Sequence, residues 1–395
     1  MLYKIRTPHH HGNGRIFSYL VLILSLGVSL IMPLLPIYVK DMLNTDQAVS
    51  FFYSAIAVIM FVAALLSTVV FSKVKKASIT NISFVVCAIA IFIFIFTNRI
   101  GEFGFFESLR VVFRLFLFMS LALFVRDFTR QSELGKEEGY FYRYTNIGFL
   151  IGPLVGGFLA AWFGYEIVFI LSSAIFLIGF LYFYHLNVIQ PHPAIIHPKK
   201  TIPANLPRNI KVFFSDKDRT KAFLISFLMI LFGAFKWLFV PLYVVSSGYM
   251  ESMSGLILAL GILPLIFLEV KVGKYADKHG IHLPVWGGFA IFGLTMLIIF
   301  FSPFILLNFL LLAVMNLGEA FLEPVADYYL LKHTPREEEN NLFGVYIAAG
   351  PIANIIAPTL SAFILFFLPF KFLFLIFGTI FILGSVYFHF KLKNS

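Results

Sequence analysis

Apolar residues run along this 395-residue chain in long blocks separated by short polar turns. A helix needs about 20 mainly apolar residues to cross the hydrocarbon core of a bilayer. Twelve blocks meet that length: 16–39, 48–71, 79–97, 104–127, 139–163, 166–188, 220–246, 252–270, 283–302, 304–331, 341–367 and 370–390. The longest polar gap, 189–219, holds Pro191, Pro193, Pro198, Lys199, Lys200, Pro203 and Pro207, and it divides the blocks six plus six. The pattern predicts an all-α integral membrane protein of twelve transmembrane helices. Residues 1–188 form one six-helix bundle, 189–219 a linker on the membrane surface, and 220–395 a second bundle.

Composition agrees. The chain is 60% hydrophobic and 13% charged, with a mean hydropathy of +0.91, whereas soluble domains are about a quarter charged. A net charge of +10 raises nucleic acid as a partner, but the placement of the basic residues argues against it. With the N-terminus set in the cytoplasm, 24 of the 30 Lys and Arg fall on cytoplasmic segments, and only Lys40, Arg99 and Lys371 on outer loops. This positive-inside asymmetry predicts a multi-pass plasma (inner) membrane protein with both termini cytoplasmic. Its cations suit anionic lipid headgroups. Cys87 is the sole cysteine, so no disulfide framework or cysteine metal site is expected. The short polar start leads straight into an apolar span and reads as a retained first helix. His9, His10 and His11 within it carry no metal assignment, and no metal or cofactor is expected anywhere.

The halves repeat. Leu35-Pro36-Ile37-Tyr38-Val39 matches Val240-Pro241-Leu242-Tyr243-Val244 at an offset of 205, as do Gly139 and Pro153 with Gly344 and Pro358, and Thr68–Lys75 with Gly273–Gly280. A constant offset at three places implies a duplicated six-helix unit, an arrangement that sets a substrate site at the interface of the repeats.

Five charges interrupt the apolar blocks: Arg110 and Arg114 in span four, Lys236 in span seven, Glu319 and Glu323 in span ten. Each costs on the order of 3 kcal/mol at bilayer depth, so they are expected to face one another or a water-filled chamber. Arg110 and Arg114 share a helix face, as do Glu319 and Glu323, whose stripe Asp327 extends. A rise of about 1.5 Å per residue puts Lys236 ~22 Å and Glu319 ~18 Å from the cytoplasmic ends of their spans, close enough in depth to pair. The 205 offset would instead set Arg114 opposite Glu319. Pro324 is expected to kink span ten and free a carbonyl. The carboxylates read as proton carriers or as partners of a cationic substrate, with halves of static ion pairs as the alternative. The arginines suit an anionic substrate. Glu102, Glu107, Glu269 and Lys271 read as interface markers, and most of the 51 phenylalanines as facing lipid.

Two glycine motifs complete the picture. Gly148, Gly152 and Gly156 make one smooth face that permits close helix packing, and Pro153 and Gly157 accompany them. Gly273, Asp277, Lys278 and Gly280 mark a tight helix exit, with Gly280 free to take a positive φ and Asp277 suited to the positive end of a neighbouring helix. The strings resemble the Gly-x-x-x-Gly-Pro-x-x-Gly-Gly motif and the Gly-x-x-x-Asp-Arg/Lys-x-Gly turn of the major facilitator superfamily, and the likeness runs over nearly the whole chain. The first-half turn departs from it, with Thr68, Ser72 and Lys75, and Arg110 is followed by Val-Val-Phe rather than Gln-Gly.

The resemblance implies two bundles rocking about a central site lined by spans one, four, seven and ten, with the Gly148–Gly157 motif bending span five between the halves. It implies a secondary active transporter of a small organic solute, working by alternating access as a proton-coupled exporter. Its partners would be the solute, protons and membrane lipids, and it would act as a monomer. No enzyme is expected, because no catalytic constellation and no Gly-x-x-x-x-Gly-Lys-Ser/Thr loop is present. Uptake of an anionic metabolite and a non-transporting scaffold or sensor are the alternatives.

Overall fold

The computed structural model describes residues 15–129, 134–189, 206–334 and 339–393. His9–His11 and most of the proline-rich linker lie outside these. Among the described residues there is no strand. Twelve helices are long and apolar enough to span a bilayer: Arg15–Leu43, Asp46–Phe71, Lys76–Phe96, Ile100–Val125, Gly139–Phe163, Tyr165–Leu186, Lys217–Ser246, Glu251–His279, His282–Phe301, Ile305–Leu330, Gly344–Phe367 and Phe372–Leu392. Each expected span has its counterpart. Arg15 and Leu392 fall on one face of the molecule, called here the terminal face; the turn between spans one and two lies on the far face.

Side chains and glycines set the helix ends. Thr45 Oγ1 accepts from Ala48 N at 3.2 Å to cap span two, and Asp216 Oδ1 accepts from Asp218 N and Arg219 N to cap span seven. Gly164 and Gly280 turn the chain at φ 83° and 81°. The described part of the linker forms the helix Leu206–Ser215, anchored by buried Phe213 and by Arg219 Nη2, which donates to Val212 O.

Two spans are broken. Span one runs as Arg15–Ile31 and Leu35–Leu43. Pro33 and Pro36 lack N–H groups, so the carbonyls four residues before them have no backbone donor. Span ten runs as Ile305–Val314 and Asn316–Lys332. The break falls at Met315 and not at Pro324, which sits inside the second helix. Asn316 accounts for it: its Nδ2 donates to the carbonyls of Leu312 and Ala313 at 3.1 and 3.2 Å, competing with the backbone ladder.

Each half packs alike. Span one lies on five, and three on four and six; span seven lies on eleven, and nine on ten and twelve. The halves meet where span five crosses eight and span two crosses eleven. Buried phenylalanines outnumber fully exposed ones among the described residues. They fill the bundle interiors, with Phe232 and Phe292 stacked at 3.7 Å and Phe94 against Phe103 at 4.6 Å. A small, flat, fully apolar ring fills the gap between helices without a polar group to satisfy.

The glycine motif of span five serves two neighbours. A Cβ at Gly148, Gly152 or Gly156 would overlap Ser25, Ser29 or Leu30 of span one, within the same half. Ser29 Oγ donates to Gly148 O at 2.8 Å across this seam. Gly157 and the carbonyl of Pro153 instead face Gly255 of span eight. Only this second edge lies between the halves.

Candidate functional site

A cavity of about 450 Å³ lies between the halves. Its first-half wall includes Val28 and Met32 of span one, Tyr53 of span two, and Glu107, Arg110 and Arg114 of span four. Its second-half wall includes Met229, Ile230 and Trp237 of span seven, Glu319 and Glu323 of span ten, and Asn354 of span eleven. Spans two and eleven therefore line it along with one, four, seven and ten.

On the first wall, Arg110 is held by Glu107 one turn earlier, through Nε to Oε2 and Nη2 to Oε1, both at 2.6 Å. The side chains are 6% and 1% exposed, so the fork is dry and its charges cancel. Glu107 thus belongs to the site and is not an interface marker. Its position three residues before Arg110 was the available signal. Arg114 has no ion partner among the described residues, and its Nε is buried without a hydrogen bond. It does not meet Glu319, as the 205 offset would have had it. Tyr53 presents a second unpartnered buried polar atom, its hydroxyl oxygen.

On the second wall, Lys236 pairs with Glu319 as their depths suggested. Lys236 Nζ also donates to Asn316 Oδ1 at 2.9 Å, so the residue that breaks span ten orients the lysine. Lys236 stands behind the cavity surface, 3% exposed and between the rings of Phe232 and Trp237 at 5.6 and 5.4 Å. The Glu323 carboxyl lies against that of Glu269 of span eight. Glu269 is therefore a site neighbour that the sequence reading placed at an interface. Glu269 and Glu323 each lie 18 residues after the first residue of their spans, Glu251 and Ile305, and so share a depth. The Asp327 side chain lies outside the description.

The cavity is shut at the far face. Lys40 Nζ donates to Ser246 Oγ across the seam at 2.6 Å and pairs with Asp46 at 2.8 Å. The Tyr165 hydroxyl bridges Glu251 Oε1 of the other half at 3.1 Å and Asp41 Oδ2 at 3.4 Å. Phe51 and Phe363 meet edge to face beside them. At the terminal-face ends of spans five and eleven, none of the described residues comes within 4 Å of where a Cβ would sit on Gly139 or Gly344.

Charged walls facing a closed-ended chamber beside two broken spans are features of secondary transporters. The sequence profile described as Major Facilitator Superfamily matches residues 17–312 and 223–394. The chain belongs to the Major Facilitator Superfamily. It is similar to Multidrug resistance protein 2 of Bacillus subtilis (strain 168), at 25% identity over 378 residues covering 91% of this chain and 90% of that one. It is also similar to the Staphylopine export protein of Staphylococcus aureus (strain Mu50 / ATCC 700699), at 23% identity over 78% of each chain. Among solved structures, the POT family transporter PepTSo superposes with a TM-score of 0.76 over 97% of this chain and 98% of its own, at 12% identity, which speaks to the fold alone. This Major Facilitator Superfamily member is a multi-pass membrane transporter and not an enzyme. Its turn motif differs in detail from the expectation. Helix eight continues through His279, so Asp277 and Lys278 lie on its last turn and are exposed. Gly273 leaves Pro324 at an ordinary 3.9 Å, and Gly280 takes the expected positive φ.

Proposed function

We propose that the chain exports a small organic solute across the plasma membrane by alternating access, driven by inward movement of protons. The Glu269–Glu323 contact carries this proposal. Two carboxyl groups set against each other favour one proton between them, and loss of that proton sets two like charges side by side. Glu323 lines the cavity and Lys236–Glu319 stands next to it, so a change of protonation acts directly on the chamber wall. The names of the relatives, multidrug resistance and staphylopine export, support the outward direction.

The basic-residue asymmetry makes the terminal face cytoplasmic, and the far-face closure then corresponds to an inward-facing state. The rocking bodies are residues 1–188 and 220–395, joined by 189–219, and one chain suffices because both cavity walls belong to it.

Purified protein in liposomes with an imposed pH gradient tests this, using ethidium, fluorescein and rhodamine B as cationic, anionic and amphoteric reporters. At least one dye should move against its gradient with counter-movement of protons, and Glu323→Gln should abolish the proton-linked component. Dye flux indifferent to the pH gradient ends the coupling; no flux of any dye ends the export assignment. A second reading, capture of an anionic group, draws support from unpartnered Arg114.

A further inference from the structure

We propose that the cavity selects amphoteric solutes, seating an anionic group on Arg114 and Tyr53 of one wall and a cationic group on the Glu269–Glu323 pair of the other. This rests on the cavity being the exporter's solute site.

Charge accounting around the cavity leads there. Arg110 cancels Glu107 through two hydrogen bonds. Lys236 cancels Glu319, with Asn316 completing the lysine's shell. Two groups are left over. Arg114 lines the cavity with no counter-ion among the described residues and with its Nε buried and unsatisfied. The Tyr53 hydroxyl, buried and also unsatisfied, lines the same wall. Opposite them, the carboxyl groups of Glu269 and Glu323 lie together without an ion-pair partner among the described residues, and Glu269 Oε1 is buried and unpartnered. The leftover cation sits on the first half and the uncompensated carboxyl pair on the second.

A neutral solute displaces water from both and compensates neither, which is costly for buried charges. A purely cationic solute satisfies the carboxyl pair and brings a like charge toward Arg114; a purely anionic one does the reverse. A solute with both groups answers both walls. The guanidinium suits a carboxylate, sulfonate or phosphonate through paired N–H donors. Between the two poles the wall is apolar, with Met32, Ile56, Met60, Ile230 and Trp237, and the cavity volume is in the range for drug-sized ligands. The cationic group and the proton then compete for one carboxyl pair, so that binding of one releases the other. This exchange is the step an antiporter needs.

Three probes with one biphenyl body separate the charge classes: biphenylalanine (amphoteric), biphenylylethylamine (cationic) and biphenylylpropanoate (anionic). Their binding to the purified full chain is measured by titration calorimetry, with the Arg114→Gln/Glu269→Gln/Glu323→Gln triple variant as the background for partition into detergent. Biphenylalanine should bind at least about tenfold more tightly than either singly charged probe, a difference of about 1.4 kcal/mol. Arg114→Gln should level it with the amine, and the Glu269→Gln/Glu323→Gln double variant, which removes both carboxyls of the pair, with the propanoate. If a Gln variant fails to fold, Arg114→Lys and Glu323→Asp replace it, each expected to retain the preference in weakened form. The proposal is overturned if the amine or the propanoate binds as tightly as biphenylalanine, if the variants leave the preference for biphenylalanine undiminished, or if no probe binds above background. Proton-linked flux of ethidium as fast as that of rhodamine B sinks the selectivity and leaves export standing. Biphenylalanine binding with no flux of any dye does the opposite.

Discussion

Span five packs on span one through Gly148, Gly152 and Gly156, while span eleven packs on span seven with Ala353, Ala357 and Ser361 at the positions 205 residues later. One topology is thus built with different small residues at matched positions. In the first half, a Cβ would strike the backbone of span one, and Ser29 bonds directly to Gly148 O. In the second, each matched position carries a Cβ and is buried, and Ser361 Oγ bonds within its own helix to Ala357 O. The matched proline motifs diverge as well. Leu35-Pro36 opens a new helix after the break in span one, whereas Pro241 lies inside an unbroken span seven. The cavity walls differ in sign, arginines on the first half and carboxyls on the second. Duplication supplied the frame, and divergence of small residues and charges gave the halves separate tasks.

Removing one member of a dry ion pair should have the largest effect. Arg110→Ala leaves Glu107 buried and unpaired, a loss of about 3–5 kcal/mol, read as a lowered unfolding temperature in detergent. Lys236→Ala should lose less, because Glu319 is 17% exposed against 1% for Glu107. Arg110→Leu combined with Glu107→Leu should restore most of the stability. An Arg110→Ala protein as stable as its parent would mean that the first-half fork is not dry.

The packing contrast comes next. Gly156→Ala drives a methyl group into the Leu30 carbonyl and should cost about 1–3 kcal/mol. Ser361→Ala, at the equivalent place, should stay within about 0.5 kcal/mol. Equal losses in the same unfolding assay would erase the packing distinction between the matched positions.

At the far face, Tyr165→Phe removes the hydroxyl that bridges Glu251 and Asp41. One hydrogen bond of about 0.5–1.5 kcal/mol should reduce closure several-fold. Disulfide formation between Lys40→Cys and Ser246→Cys, in a Cys87→Ala background, reports it. An unchanged rate with and without Tyr165→Phe would show that the clasp is held elsewhere.

The smallest effect separates the two terminal-face acids. Asp127→Asn should lose about 1 kcal/mol, because its partner Lys76 is about as buried as it is. Asp277→Asn should stay within about 0.5 kcal/mol, since the residue is exposed and none of the described residues partners it. A larger loss at Asp277 than at Asp127 would show that the exposed acid is tied into the fold.

Much of the site was legible along the chain. The five interrupting charges all fall at the cavity or directly behind it, and equal depth anticipated the Lys236–Glu319 pair. Glu107 and Glu269 were misread because closeness to a span end looked like an interface. Each carried a signal, spacing to Arg110 in one case and depth shared with Glu323 in the other. Tyr53 and Trp237 carried none, since an aromatic residue in an apolar span looks alike whether it faces lipid, core or cavity. The break in span ten escaped notice because a proline announces a disturbed ladder more loudly than an asparagine does.

The sequence by itself determined how many times the chain crosses the membrane, that its halves are copies, and at what depth each charge lies. Those properties are sums and spacings along one dimension, which hydrophobicity and helical rise convert into length. Only the tertiary structure decided which charges cancel and which are left facing the chamber. Pairing depends on the rotation of each helix about its axis and on its lateral neighbours, and contacts between separate spans set both.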